Sequence, residues 1–134
     1  MKKLLLDTHT LLWAIGKSDE LLGNIIEQLQ DTKNKVFVSA VSLWEIALKH
    51  SLGKLVLDAF NVEDILVYCK KIGFEMLPLE PSEALGFHLL PTKETHKDPF
   101  DRMLIYQCIR NKYILVSKDS KMELYEENGL KCIW

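Results

Sequence analysis

Leu4-Leu5-Leu6-Asp7-Thr8-His9-Thr10-Leu11-Leu12-Trp13 is the stretch from which the fold can be read. Its first three leucines form a continuous apolar run, too short for a helix and suited to a strand buried on both faces. Val36-Phe37-Val38 and Tyr113 to Val116 read the same way, rich in β-branched and aromatic residues. Phe74 to Leu77 is a weaker strand, interrupted by Glu75 and stopped by Pro78, and Leu130 to Trp134 is an edge-strand candidate.

Between these runs the apolar period becomes helical. Leu21, Leu22, Ile25, Ile26 and Leu29 mark a helix, with Ser18 or Asp19 as its cap. Val41, Trp44, Ala47 and Leu48 mark a second, ending near Gly53. A third carries Ile65, Leu66, Tyr68, Cys69 and Ile72 between Asn61 and Gly73, and Pro81-Ser82-Glu83-Ala84 opens a short fourth. Pro91 to Lys97 is a polar loop. Asp98-Pro99-Phe100-Asp101 reads as a cap and first-turn proline, followed by a stripe of Phe100, Met103, Leu104, Cys108 and Ile109. A last short helix runs from about Ser120 to Glu127.

Buried strands alternating with helices predict an α/β fold, an α/β/α sandwich with a mostly parallel central sheet, in one domain over residues 1–134. The composition agrees: 48% hydrophobic and 27% charged residues exclude disorder and collagen-like repeats. Cys69, Cys108 and Cys132 are odd in number and form no C-x-x-C pair, which points away from a disulfide framework and toward a reducing cytoplasm. Asp7 to Thr10 break the apolar start too early for a signal peptide, and no run approaches a membrane span. The net charge of −2 lacks the footprint of a protein that coats duplex nucleic acid.

In parallel sheets ligands sit outside the carboxyl ends of the strands, and there the chain carries acids. Asp7 follows the first strand and Asp119 the Tyr113–Val116 strand, while Glu45 and Asp101 lie in the early turns of two helices. Each also has a purely structural reading. Asp7 and Asp119 suit turns or caps, Asp98 is a cap before proline, Asp101 suits the helix dipole, and Glu45 can pair with Lys49 for about 0.2–0.5 kcal/mol. Together, though, four carboxylates at one edge repel one another unless a cation neutralises them. Oxygen ligands without a Cys or His cluster favour Mg²⁺ or Mn²⁺, and such an ion suits phosphodiester hydrolysis by activating water and steadying transition-state charge. No dinucleotide-binding glycine motif, P-loop or serine elbow is present.

Four blocks carry a family resemblance: the opening stretch, Val38-Ser39-Ala40-Val41-Ser42-Leu43-Trp44-Glu45-Ile46, His96-Lys97-Asp98-Pro99-Phe100-Asp101-Arg102-Met103-Leu104-Ile105, and Leu115-Val116-Ser117-Lys118-Asp119. In order and spacing they resemble PIN-domain proteins of the VapC toxin type over essentially the whole chain. The resemblance implies a metal-dependent endoribonuclease acting on RNA, the toxin of a toxin–antitoxin pair, often a homodimer inhibited by a small antitoxin protein. It also implies that Asp7, Glu45, Asp101 and Asp119 are the acidic active-site positions, with Asp98 an extra acid of the Asp-Pro-Phe-Asp subgroup. Asp7, Asp101 and Asp119 would hold the metal, with Glu45 joining directly or through water. Ser117 stands where such proteins often have threonine, and its hydroxyl could bond a carboxylate or metal-bound water.

Lys49, Lys54, Lys93, Lys97 and Arg102 are candidates for phosphate contacts, each also explicable as solvated surface. His9 reads more readily as a packing residue than as a ligand. Trp13 and Trp44 could stack on bases, but their helical neighbours favour core packing. Two other functions fit the same parts: a receiver-like Mg²⁺-binding signalling domain and a catalytically silent PIN-like binding module. A receiver, however, needs paired acids at the first strand and an acceptor aspartate after a middle one, whereas Asp7 stands alone and Val36 to Val38 ends in Ser39.

Overall fold

The structure, a computed structural model, describes residues 1–134. Five strands, β1 (Lys3–Leu6), β2 (Lys35–Ser39), β3 (Glu75–Leu77), β4 (Ile114–Val116) and β5 (Lys131–Ile133), form one sheet in the order β3-β2-β1-β4-β5. Every pairing is parallel. Six α-helices connect them: α1 (Thr8–Gly16), α2 (Gly23–Gln30), α3 (Ala40–Ser51), α4 (Ile65–Ile72), α5 (Pro81–Gly86) and α6 (Pro99–Asn111).

The pleat of β1 divides the core. Leu4 and Leu6 join one apolar cluster with Leu11, Ile25, Ile46, Ile65 and Cys69. Leu5 faces the other way, joining Leu104, Ile105, Cys108, Leu115, Met122 and Tyr125. All three leucines are fully buried, as expected of a strand covered on both faces. Because the chain passes from β1 to β2 on one side and later places β4 on the other, a crevice opens between the carboxyl ends of β1 and β4, the place where open parallel sheets bind ligands.

Several details differ from the sequence-based expectations. Thr8–Gly16, unassigned from the sequence, is helical, with Asp7 as its cap: the Thr10 amide donates to Asp7 Oδ1 at 2.9 Å. Neither Ser18 nor Asp19 caps α2. They belong to a 3-10 turn, Ser18–Glu20, and α2 begins after the turn buries Leu21. The final helix, Ser120–Asn128, is 3-10 in character. α4 is preceded by a 3-10 turn at Val62–Asp64, where Asn61 and Asp64 form a reciprocal cap, and it ends at Gly73, whose φ of 96° suits glycine. The α6 stripe buries Arg102, Leu104, Ile105, Gln107 and Cys108, so two polar residues enter it.

Gln107 explains one of those intrusions. Ser39 Oγ donates to Gln107 Oε1 at 2.6 Å and accepts the Val41 amide at 3.0 Å, so one fully buried hydroxyl caps α3 and ties it to α6. Ser39→Ala removes the cap and leaves a buried amide oxygen unpaired, a loss of about 1–3 kcal/mol. Urea denaturation should show this destabilisation, while Ser51→Ala, at an exposed site on the same helix, should change stability far less. Equal effects from both variants would contradict the assigned linkage.

Candidate active site

The fold brings the predicted acids to the carboxyl edge by four routes. Asp7 follows β1 directly, and its amide donates to Val116 O of β4 at 3.1 Å. Asp119 follows β4 after a two-residue turn, in which its own amide donates to Ser117 Oγ at 3.1 Å. Asp101 lies in the first turn of α6, which returns to the start of β4 and must therefore begin at the carboxyl edge. Its helix is capped by Asp98, whose Oδ1 accepts the Phe100 and Asp101 amides at 2.8 and 3.1 Å. Glu45 comes from the second turn of α3.

Asp7 and Glu45 are only 5% and 4% exposed, unusual for carboxylates, which demand partners when buried. Glu45 has them on both oxygens: Thr8 Oγ1 donates to Oε1 at 2.5 Å, and Lys49 Nζ forms an ion pair with Oε2. The hydrogen bond to Glu45, together with the nearby charges of Asp98 and Asp101, holds the Lys49 ammonium above its usual pKa against the opposing effect of burial. Asp7, Asp98 and Asp119 each accept backbone amides through Oδ1, leaving Oδ2 open. Asp101 meets His96 through Oδ2, with 3.4 Å between Nε2 and the oxygen.

Burial and neighbouring charge act together on these acids. Burial raises the Asp101 pKa first, and the charges of Asp98, Asp7 and Glu45 raise it further, to about 6 despite the opposing His96 contact. The Cys132 thiol is likewise pushed up to about 11, by burial and then by Asp7, with smaller effects from Glu126 and Asp119. Ligand atoms of His96, Asp101 and Asp119 lie within 4.8 Å of one another. Open carboxylate oxygens with uncompensated repulsion fit a hard divalent cation. Glu45, neutralised by Lys49, is the acid least available to it.

Other candidates take different places. Arg102 is not at the rim: its guanidinium is buried, Nη2 donates to Leu90 O and Pro91 O at 3.1 and 3.0 Å, and it lies over the Phe87 ring. Buried, with Nη2 committed to the chain and Nε without a partner, Arg102 is not the exposed phosphate contact expected from the sequence. Lys97 and Lys54 are exposed, whereas Lys93 pairs with Glu127 at 2.6 Å. The Ser117 hydroxyl shapes the Asp119 turn. His9 is exposed against half-buried Trp13. Trp44 departs from core packing: it is 62% exposed and meets Phe100 edge-on, beside Glu45 and Asp101 in sequence. Thr8 and His96 were missed by sequence reasoning. Thr8 could have been found from its place in the first turn after Asp7, but the polarity of its loop concealed His96.

The Asp101 shift has a signed consequence. Folding raises this pKa from 3.8 to about 6, so the group favours the metal-free fold most at low pH and loses that contribution as pH rises through this window. Asp101→Asn should therefore raise the melting temperature, measured in EDTA, more at about pH 7.5 than at about pH 5. A shift of the same size at both pH values would contradict the raised pKa of Asp101.

A protein-family model described as PIN domain matches residues 4–128. No curated protein sequence matches significantly. Among solved structures, a chain of DNA-bound VapBC from Salmonella typhimurium is 20% identical, with 99% of this chain and 98% of that one covered and a TM-score of 0.67. A chain of VapBC2 from Rickettsia felis, bound to a promoter DNA fragment, is 16% identical, with 98% and 97% covered and a TM-score of 0.66. A chain of VapBC-1 from nontypeable Haemophilus influenzae is 13% identical, with 98% and 96% covered and a TM-score of 0.66. These likenesses concern the fold, which differs from the receiver-like alternative. With the family model spanning nearly all of the chain and its acids gathered at the β1–β4 crevice, this protein belongs to the PIN-domain family.

Proposed function

We propose that the protein is a Mg²⁺- or Mn²⁺-dependent endoribonuclease and the toxin of a toxin–antitoxin pair. The observation that carries the nuclease reading is the cluster at the sheet edge: ligand atoms of His96, Asp101 and Asp119 lie within 4.8 Å of one another, and burial together with the charges of Asp98, Asp7 and Glu45 raises the Asp101 carboxyl, which makes a negative site suited to a divalent cation. Asp7, Asp101 and Asp119 would hold the ion through oxygens not engaged by the chain. When bound, the ion would supply an activated water and stabilise charge developing on the scissile phosphate. Glu45, steadied by Thr8, would help position water at the site.

Lys49, paired with Glu45, and Lys97, on the exposed loop, supply positive charge for phosphate oxygens. Asp98 keeps the start of α6 in place and adds negative charge beside Asp101. Ser117 holds Asp119 in register with the other acids. Excluding the metal-binding acids turns the net charge slightly basic, so the overall acidity is compatible with an RNA substrate.

The toxin role and a small antitoxin partner are supported by the VapBC complexes among the structural neighbours. A homodimer and action in the cytoplasm belong to the same proposal. No helix is long and apolar enough to cross a membrane.

Asp7→Asn, nearly isosteric, should reduce Mn²⁺-dependent cleavage of total RNA by about 100-fold or more while leaving the circular dichroism spectrum unchanged. EDTA should stop the wild-type reaction, and added Mn²⁺ should restore it. Full turnover by the variant would sink the assignment, and wild-type protein without specific cleavage ends would favour a silent binding module.

A further inference from the structure

The Pro91–Lys97 loop, polar and without regular structure by sequence, is tied down at several points. Arg102 holds its start through the carbonyls of Leu90 and Pro91. Lys93 anchors its middle to Glu127 and lies 5.5 Å from the Tyr125 ring centroid. The His96 amide donates to Lys93 O at 3.3 Å, closing a short bridge. These ties place His96, only 3% exposed, between fully buried Tyr125 and Asp101. Its ring meets Tyr125 edge-on at 5.5 Å between centroids.

We propose that His96 is a positioning residue for Asp101, with its tautomer set by the Tyr125 hydroxyl. His96 Nδ1 lies 2.8 Å from Tyr125 Oη, and Nε2 lies 3.4 Å from Asp101 Oδ2. A buried phenol needs an acceptor for its proton, and Nδ1 is the acceptor within reach. With Nδ1 accepting, the neutral ring carries its proton on Nε2 and donates it to the carboxylate. The opposite tautomer would leave the phenol proton unpaired and turn an imidazole lone pair toward an anion. Both ends of the chain therefore select the same form. The donated proton restrains Asp101 Oδ2 and leaves Oδ1 for the cation. Partners that hold a ligating carboxylate or imidazole in this way set metal affinity.

The inference rests on Asp101 being a metal ligand, so the test reads the metal itself. Mn²⁺ binding to the full chain is titrated by electron paramagnetic resonance for wild type, His96→Leu, His96→Gln and Tyr125→Phe, with folding followed by circular dichroism. His96→Leu should weaken binding by about 10- to 100-fold. His96→Gln, whose amide N–H reaches about as far as Nε2, should recover most of that loss, and Tyr125→Phe should fall between them. If His96→Leu fails to fold, the glutamine and phenylalanine variants carry the comparison. Unchanged Mn²⁺ binding in His96→Leu or Tyr125→Phe overturns the proposal, as does a glutamine variant as weak as the leucine one. A strong electron-spin-echo coupling from a directly bound ring nitrogen would overturn it too, by making His96 a ligand. Wild type that binds no Mn²⁺ overturns the metal-site reading beneath it.

Discussion

Like-charged carboxylates crowded at one sheet edge oppose folding, and much of the architecture around that edge counters their repulsion. Three of the acids are held by amides of their own segments, and Glu45 by a hydroxyl from α1. Asp7 takes the Thr10 amide, Asp98 the first amides of α6, Asp119 the Lys121 amide, and Glu45 the Thr8 hydroxyl. Helix N-termini provide positive ends as well as donors. Capping and function are thus compatible roles for the same residues: the cap fixes one oxygen and leaves the other for the cation. What capping does not remove is the effect of burial and then of residual repulsion on Asp101, whose carboxyl stays pushed up to about 6.

The sheet makes this concentration of charge possible. A central β1 whose three leucines are buried on both faces gives a rigid strand end, and the reversal of strand order beside it opens the crevice. α3 and α6 are locked to one another through Ser39 and Gln107, so Glu45 and Asp101 are carried by elements joined in the core. Lys49 stands between the two helices, paired with Glu45 and 5.9 Å from the Phe100 ring centroid.

The parallel strands and the positions of the acids were legible because both depend on local patterns: short apolar runs, caps, and residues immediately after strand ends. The α1 helix was not, since Thr8-His9-Thr10 lacks apolar periodicity until the Asp7 cap is considered. Arg102 and His96 were hidden for a different reason. Their roles depend on partners in other segments, Leu90 and Pro91 for Arg102 and Tyr125 for His96, which no spacing within a motif reveals. Trp44 was misplaced because helical periodicity identifies an apolar face without saying what covers it. Here Val41 is covered, while Trp44 remains open beside Phe100.

The central claim is that the acids at the β1–β4 crevice form one cation site. Anomalous diffraction from crystals of the full chain grown with Mn²⁺ tests it directly. The predicted result is a manganese peak within coordination distance of Asp7 and Asp101, with Asp119 joining them directly or through water. A peak elsewhere, or none at saturating Mn²⁺, would contradict the claim.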